Sequence, residues 1–511
     1  MDSFSSTMAL LVYVISACGL LIYGLNCYVM IFLFLRYSDT AAKHRQQVEE
    51  QFSHILVTPA ASLVAPVVTT QIAIYNELNV SERVIKAACA MEYPQGRHEI
   101  QILDDSTDET RDLVDKLVAD LKADGHDISI LRRARRVGFK AGALANGLLQ
   151  AKGELMAVFD ADFVPPKNFL LRTVPFFLAE KKLGLVQARW GHLNYNHSLL
   201  TQAQSLGIDG HFMVEQSARN FSGLFMNFNG TAGIWRKEAI SEGGGWQWDT
   251  LTEDMDLSYR VQLAGWKTQY QPDLVVPAEI PEDVSAFKSQ QFRWAKGSIQ
   301  TAIKLAPLML NSPTSVFQKI EAFFHMTHYL VHPLMLTLAI FALPVLLFSE
   351  INISGVVLGI VAMGLGLSMM APSLLYLVSQ KAAYPDWKQR LARLPVLIMV
   401  GVGIALSNTR AVLEAIWGIE SAFVRTPKKG DVEIKRYSVK VPWLAGLEVA
   451  LGLYCTFSLL VYLYAGKYLV GPFLGIYAAG FLFIGLLTIY QGMDDKLRTK
   501  IFGRFNRIKS K

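Results

Sequence analysis

The stretch Val158-Phe-Asp-Ala-Asp-Phe-Val-Pro165 (VFDADFVP) carries two acidic residues, Asp160 and Asp162, directly after an apolar run. The run GELMAVF (153–159) is typical of a buried strand. In an open α/β sheet, ligands bind outside the carboxyl ends of the strands, which is where these two carboxylates would lie. Each acid alone is also compatible with an ordinary turn before Pro165 and Pro166. Other parts of the sequence are therefore needed to distinguish a ligand-binding site from an ordinary turn.

Further apolar runs alternate with helical patterns on either side of this stretch. Strands are predicted at PVVTTQIAIYNE (66–77), HEIQILDDS (98–106) and HDISILRR (126–133). Helices are predicted between them at Ser81–Met91, Asp108–Ala123 and Phe139–Ala151. This alternation predicts an α/β domain with a mainly parallel sheet and helices on both faces, at residues 66–304.

The composition excludes an ordinary soluble protein. Of 511 residues, 52% are hydrophobic and only 18% are charged, which indicates a chain partly embedded in lipid. The four cysteines lie mostly in apolar stretches without metal-ligand spacing, and we interpret them as reduced packing residues. The net charge of +6 comes from basic residues that flank apolar segments, a membrane-surface pattern and not a nucleic-acid one.

Five apolar segments are long enough to cross a membrane. They are predicted at Met8–Leu35, Phe324–Phe348, Ile353–Leu377, Trp443–Tyr464 and Val470–Tyr490. A sixth, Leu394–Ile419, carries charged residues and lies between two loops rich in lysine and arginine (381–393 and 425–440). Because such loops favour the cytoplasm, we expect residues 394–419 to be an interfacial or re-entrant segment.

These assignments divide the chain into an N-terminal transmembrane helix, a cytoplasmic linker, the α/β domain, an interfacial helix, a C-terminal transmembrane region and a basic cytoplasmic tail. Their bounds are 1–40, 41–65, 66–304, 305–323, 324–495 and 496–511 respectively. We expect a multi-pass protein of the cell (inner or plasma) membrane whose α/β domain faces the cytoplasm, with the N-terminus outside.

Polar residues follow the first strands where the sheet edge is predicted. Tyr75, Asn76 and Glu77 follow the first strand, and Asp105 follows the second. Lys140 stands at a helix start rich in small residues, where it would meet phosphate charge. Turn chemistry and a solvated lysine are the plain alternatives for each residue alone. At one sheet edge they would hold a nucleotide, and a hard Mg²⁺ or Mn²⁺ would offset the repulsion between Asp160 and Asp162.

Two later stretches complete the set. In LTEDMDLSYR (251–260), Glu253 and Asp254 open a helix, either as partners of its dipole or with Asp254 as a general base. In QQFRWAKGS (290–298), helical spacing places Gln290 and Arg293 on one face, followed by Trp294. Arginine binds diphosphates and tryptophan stacks on sugar rings. The alternative is a Trp–Arg pair that anchors a helix at the membrane surface.

The ordered set YNE, DDS, DAD, TED and Q-x-x-R-W resembles the processive family 2 glycosyltransferases, which include cellulose, mannan and hyaluronan synthases. The segments GFKAGAL, LVQARW, FNGTAGIWR and QQFRW are similar to cellulose-synthase-like mannan and glucomannan synthases and to bacterial cellulose synthase catalytic subunits. The resemblance covers about residues 67–306. It implies a GT-A domain inserted between transmembrane helices.

The resemblance also implies roles for individual residues. Asp254, with Glu253, would be catalytic, and Asp160 and Asp162 would hold the metal. The nucleotide sugar would contact Tyr75, Asn76, Glu77, Asp105, Lys140, Asp160, Gln290 and Arg293. The acceptor would contact Trp294 and the FNGT stretch, which comprises Phe228, Asn229, Gly230 and Thr231. AFVRTPKKG (422–430) resembles a gating loop within 420–440, with Thr426 and Lys428 at its matching positions, although Arg425 departs from the pattern.

By this resemblance, the chain is a processive inverting hexosyltransferase that makes and exports a β-linked, β-1,4 polysaccharide such as mannan, glucomannan or glucan. The donor would be GDP-mannose or UDP-glucose, the cofactor a divalent metal, and the partners the growing glycan and the bilayer. Two alternatives stay open at this point. One is a membrane transferase that adds one or a few sugars to a lipid, and the other is a transporter that only binds nucleotide sugar.

Overall fold

The computed structural model describes residues 3–58, 60–348, 355–421, 430, 443–468 and 470–493. Its centre is a seven-stranded sheet in the order β3-β2-β1-β4-β6-β5-β7. Neighbouring strands are parallel except at β6, which is antiparallel to both β4 and β5. The strands are β1 Val68–Ile74, β2 His98–Asp104, β3 Ile128–Leu131, β4 Leu155–Asp160, β5 Leu183–His192, β6 Gly233–Arg236 and β7 Lys267–Ala278.

The four predicted strands correspond to β1–β4, and the three predicted helices lie between them. The helices of this half of the chain are α1 Ser3–Val57, α2 Ala61–Val64, α3 Ser81–Cys89, α4 Thr110–Ala123, α5 Phe139–Gln150, α6 Phe169–Ala179, α7 Leu199–Asp209, α8 Ser217–Phe221, α9 Lys237–Glu242 and α10 Glu253–Leu263. A π-helical segment, Gly210–Gln216, joins α7 to α8.

The sheet lies between two apolar layers because its side chains alternate between its faces. In β4, Leu155, Ala157 and Phe159 pack into one core with α3, α4 and α6. Met156 and Val158 pack into a second core with α5, α9 and α10. All five are buried, which explains the continuous apolar run before Asp160. The predicted α/β class, with helices on both faces, is confirmed.

Helix α1 precedes the sheet domain, and further helices follow it. They are α11 Val284–Asn311, α12 Val316–Thr327, α13 Val331–Phe348, α14 Gly355–Ala383, α15 Trp387–Leu391, α16 Leu394–Gly403, α17 Ala405–Ile416, α18 Leu444–Tyr464 and α19 Gly471–Gly492. In the described part of the chain, four segments are long and apolar enough to cross a membrane: Thr7–Val57, Val316–Phe348, Leu444–Tyr464 and Gly471–Gly492. The protein therefore has the helices of a membrane protein.

The predicted span Ile353–Leu377, which is not among these four segments, and the predicted interfacial segment 394–419 both fall largely on helices. Helix α14 runs beside α1, where Ser368 Oγ donates a hydrogen bond to the Leu20 carbonyl at 2.8 Å. The helices Trp387–Gly403 and Ala405–Ile416 meet at 43°, a bend found in a broken span or a re-entrant loop. The interfacial assignment of 394–419 stays a prediction. Helix α1 continues through most of the predicted linker as far as Val57.

Candidate active site

The acids singled out from the sequence meet at one edge of the sheet. Asp160 ends β4, Asp105 directly follows β2, and Tyr75 directly follows β1. These strands are parallel neighbours, so their carboxyl ends open into the same cavity. This cavity, called the charged pocket below, has a volume of about 220 Å³. Its lining includes most of the predicted residues, namely Tyr75, Glu77, Asp105, Lys140, Asp160, Asp162, Asn229, Gly230, Glu253, Asp254, Gln290, Arg293 and Trp294.

Three of the predicted residues lie outside this lining and pack against, or form hydrogen bonds with, other residues of the domain. Asn76 has a left-handed backbone (φ 55°), and its side-chain oxygen accepts a hydrogen bond from the Thr107 amide at 2.8 Å. Phe228 is fully buried against Trp235. Thr231 Oγ1 accepts a hydrogen bond from the Asp160 amide at 2.9 Å. Thr426 and Lys428 of the proposed gating loop lie outside the described residues.

Lys140 connects Asp160 at the end of β4 to the stretch 228–231. Its ammonium donates hydrogen bonds to Asp160 Oδ1 and, at 2.7 Å, to the Gly230 carbonyl. Burial opposes its charge, but the carboxylates of Asp160 and Glu253 outweigh burial and raise the pKa of Lys140. The ammonium is therefore a fixed positive charge beside Asp160.

The turn that precedes Lys140 requires a glycine at position 138. Gly138 precedes α5 with a left-handed backbone (φ 71°). A Cβ at this position would lie 2.6 Å from the Trp248 ring. Only glycine meets both conditions without strain.

Asp254 has the environment of a general base. It lies in the first turn of α10, beside Glu253, and its Oδ1 accepts a hydrogen bond from the Met255 amide at 2.8 Å. Burial and the neighbouring Glu253 carboxylate raise the pKa of Asp254 to about 7. Burial likewise raises the pKa of Glu253, against the attraction of Lys140. A carboxylate with a pKa near neutrality can both take and release a proton at working pH.

Helix α11 brings the Q-x-x-R-W residues to the other side of the pocket. The Trp294 ring lies 6.4 Å from the Trp190 ring, between centroids. Burial lowers the pKa of Arg293, although Glu253, Asp160 and Asp254 act in the opposite direction. Arg293 and Lys140 therefore interact electrostatically with the same three carboxylates.

Several residues that line this pocket or contact its lining were missed by reasoning from the sequence. The Arg136 guanidinium lies 3.4 Å from the centroid of the Tyr75 ring, and Arg133 forms an ion pair with Asp105. The run RRARR (132–136) was the available signal for both. Trp190 and His192 also line the pocket, at the end of β5. LVQARW (185–190) contributes to the resemblance, but it was not predicted as a strand that ends at the site.

A second, larger cavity of about 770 Å³ adjoins the charged pocket. Side chains of α1, α13, α14, α16 and α19 line much of it, so it extends among the apolar helices. We call it the membrane-helix cavity. The residues that line both cavities are Trp190, Ile208, Asn229, Thr252, Asp254, Gln290 and Trp294. Asp254 and Trp294 therefore stand where the two cavities meet.

Few side chains of the pocket are placed to bind a divalent metal. Within the described ranges, no group of three or more His, Cys, Asp or Glu side chains is arranged to hold a metal ion. Asp160 and Asp162 nevertheless line the pocket together. Mg²⁺ commonly binds through one or two carboxylates and completes its shell with substrate phosphates and water. The two aspartates fit that kind of site and do not fit an all-protein cage.

Part of the chain is similar to known proteins. Residues 65–297 match the family model described as glycosyltransferase like family 2. A probable glucomannan 4-beta-mannosyltransferase of Oryza sativa subsp. japonica is 46% identical over 245 residues, which are 47% of this chain and 42% of the relative. A glucomannan 4-beta-mannosyltransferase of Arabidopsis thaliana is 40% identical over 297 residues, which are 56% of this chain and 53% of the relative. The chain thus spans about half the length of the curated relatives it matches.

A solved structure, a mannosyltransferase from Pyrobaculum calidifontis in complex with GDP-Man and Mn²⁺, aligns with a TM-score of 0.49 at 17% identity. The alignment covers 77% of this chain and 99% of that one. The sheet and the acids at its edge lie in the part of the chain, residues 65–297, that is similar to the family described as glycosyltransferase like family 2.

Proposed function

We propose that the protein is a membrane-embedded, inverting, processive glycosyltransferase that polymerises and exports a β-1,4-linked mannan or glucomannan. One observation carries this proposal: Asp254, a half-buried carboxylate with a pKa near neutrality, lines both the charged pocket and the membrane-helix cavity. A donor in the first cavity and an acceptor chain in the second would therefore meet at a general base.

The proposed reaction is a single displacement. Asp254 takes the proton of an acceptor hydroxyl, and the freed oxygen forms a bond to the anomeric carbon of the donor. The bond from that carbon to the phosphate oxygen breaks on the opposite face, so an α-linked donor gives a β-linked product. Arg293 and Lys140 stabilise the negative charge that develops on the departing nucleoside diphosphate.

A divalent metal held by Asp160 and Asp162 would supply Lewis-acid stabilisation of that diphosphate when bound. Thr231 supports this arrangement because its hydroxyl holds the Asp160 amide. Tyr75, Glu77 and Asp105 follow β1 and β2, on the side of the pocket where the nucleotide would lie.

GDP-mannose is the donor we propose, because the relatives named above are mannosyltransferases. UDP-glucose is the near alternative, since base and sugar selection depend on the shape of the pocket. Four apolar segments and the cavity among the helices support export by this chain through the membrane. The catalytic domain would then face the cytoplasm, where nucleotide sugars are made.

The test is incorporation of radiolabelled sugar in purified membranes with Mg²⁺ or Mn²⁺. GDP-mannose and UDP-glucose are supplied separately and then together, and the product is sized and digested. We expect a high-mass polymer cut by a β-1,4-mannanase. A short, solvent-extractable glycolipid would contradict processivity and favour a lipid glycosyltransferase.

A companion variant separates catalysis from binding. Asp254→Asn should lower turnover by roughly 10²- to 10⁴-fold, the usual contribution of a general base, while donor binding is kept. Asp249→Asn is the matched control, because Asp249 is an exposed aspartate near α10 that lines neither cavity. Full activity in Asp254→Asn would contradict the assigned base. A wild-type protein that binds donor without turnover would favour the transporter.

A further inference from the structure

A carboxylate–histidine pair at the end of β5 has no role in the function proposed so far. His192 is the last residue of β5, and its side chain is only 4% exposed. It lines the charged pocket but not the membrane-helix cavity. Its Nε2 lies 2.9 Å from Asp209 Oδ1.

Asp209 accepts a hydrogen bond from helix α14, which runs beside α1. Its side chain is fully buried at the end of α7. The Gln380 amide of α14 donates to Oδ2 at 2.9 Å, and the Tyr384 hydroxyl just beyond α14 donates to Oδ1 at 3.1 Å. Burial opposes ionisation of Asp209, but its contacts with His192 and Gln380 outweigh burial and lower its pKa.

This arrangement fixes the proton on the imidazole. An ionised carboxylate only accepts hydrogen bonds, so Nε2 of His192 carries the hydrogen that points at Asp209. In the neutral ring, Nδ1 is then an acceptor. Each hydrogen bond that His192 makes to a described residue involves Nε2. A nearly buried ring in a polar pocket therefore presents an acceptor nitrogen that a ligand hydroxyl would satisfy.

The order of the strands indicates which part of the ligand lies there. Tyr75 and Asp105 follow β1 and β2, and Asp160 ends β4. β5 lies two strands beyond β4 in the opposite direction from β1 and β2. If the nucleotide lies over β1 and β2 and the diphosphate lies at β4, the hexose extends towards β5. His192 is absent from the lining of the membrane-helix cavity, which favours the donor over the acceptor chain as its partner.

We propose that Nδ1 of His192 accepts a hydrogen bond from one hydroxyl of the donor's hexose, with Asp209 as the positioning residue that fixes the imidazole tautomer. This inference rests on the proposed function and deepens it, because it assigns a sugar-recognising residue to the same pocket. It also makes sugar recognition depend on α14, since Gln380 holds Asp209.

The experiment uses the full chain in detergent with Mn²⁺ and measures binding by calorimetry. The probes are GDP-mannose, its 2-, 3-, 4- and 6-deoxy analogues and GDP alone, with the UDP-glucose series in parallel. For the wild type, one deoxy analogue should bind about 3- to 10-fold more weakly than its parent, the effect of one lost neutral hydrogen bond. In His192→Ala, the affinity for the parent nucleotide sugar should fall by that factor. Removal of the same hydroxyl from the ligand should then cause no further loss of affinity.

Three variants complete the design. Asp209→Asn should also abolish the difference in affinity between the parent ligand and this analogue. The imidazole is still present, but its ring can then adopt the other tautomer. His192→Phe keeps a ring of similar size and serves as the test if the alanine variant does not fold. His197→Ala is the control, since His197 also pairs with a carboxylate, Glu282 at 3.3 Å, but lines neither cavity.

The outcomes are distinct. Unchanged discrimination in His192→Ala overturns the role of His192 and leaves the proposed function intact. Equal weakening of GDP alone places the effect outside the hexose and also overturns the assignment. A wild-type protein that binds neither GDP-mannose nor UDP-glucose overturns both the proposed function and this inference.

Discussion

Asp254 carries a pKa of about 7 because burial and Glu253 both disfavour its ionised form. A general base works only when it is deprotonated, so its activity should follow the ionised fraction of this carboxyl. We predict that kcat/KM falls about tenfold for each pH unit below 7 and levels off above it. The measurement is initial sugar incorporation between pH 5 and 9, with donor binding recorded at each pH. A pH-independent kcat/KM across this range, with donor binding also constant, would remove Asp254 as the base.

Gly230 lies directly beside both Asp254 and Lys140. It has a left-handed backbone (φ 82°), and a Cβ there would lie 3.0 Å from Asp254 Oδ2 and 3.4 Å from Lys140 Nζ. We predict that Gly230→Ala lowers turnover by less than about 10²-fold, because the Asp254 carboxylate must move by only a few tenths of an ångström and 10²-fold is the effect of a displacement of about 1 Å. The measurement is kcat together with the thermal unfolding midpoint.

A matched glycine separates this effect from backbone strain. Gly223 also has a left-handed backbone (φ 74°), but a Cβ there meets no described atom within 4 Å. Gly223→Ala should share the strain cost of about 1–2 kcal/mol and keep its activity. Equal losses of activity in both variants would show that strain, and not the contact with Asp254, is responsible.

At the scale of elements, α11 is fixed against α17 by a buried ion pair. Lys296 Nζ lies 3.0 Å from Glu414 Oε2, and the lysine side chain has no exposed surface. Lys296 is one turn beyond Arg293 and Trp294 on α11, so the pair holds the helix that lines the pocket. Removal of one partner leaves a buried charge without its counterion, whereas removal of both does not.

We predict that Glu414→Gln destabilises the protein by about 3–5 kcal/mol. The double variant Lys296→Met/Glu414→Leu should recover most of this loss. Unfolding midpoints in detergent provide the measurement. Glu82→Gln is the control, because Glu82 and Lys86 form an exposed pair on α3 that contributes about 1 kcal/mol at most. A double variant as unstable as the single one would contradict the argument.

At the scale of the whole molecule, the membrane-helix cavity is the proposed route of the polymer. Gly401 of α16 lines it, and a Cβ there meets no described atom within 4 Å. A tryptophan at this position would therefore occupy the cavity without a clash at its first carbon. We predict that Gly401→Trp shortens the product several-fold while the first sugar transfers keep their rate, because Asp254 and the charged pocket are untouched.

Product length by gel filtration and initial incorporation rate are the two measurements. Gly446→Trp is the control, since Gly446 of α18 also has open space at its Cβ but does not line the cavity. Full-length polymer from Gly401→Trp would contradict this route. Equal shortening in both variants would attribute the effect to the membrane helices in general.

Local pattern predicted much of the fold. The strands β1–β4 and helices α3–α5 have the apolar runs and spacing that their burial requires, so each was visible from a few neighbouring residues. The strands β5–β7 were not predicted, and β6 has only four residues and an antiparallel direction that no local signal specifies. At the site, short motifs identified the acids, but Phe228 and Thr231 proved to be supports behind the pocket.

The sequence by itself determined the α/β class, the apolar segments and the acids at the strand ends. The first two follow from the spacing and length of apolar runs, and the acids are visible because they directly follow such runs. Only the tertiary structure decided which groups share one cavity. The contacts of Asp209 with His192 and Gln380, the approach of Lys140 to Gly230, and the meeting of two cavities at Asp254 join residues far apart in the chain. Such contacts depend on how the sheet packs against the membrane helices, and no periodicity within a segment encodes that packing.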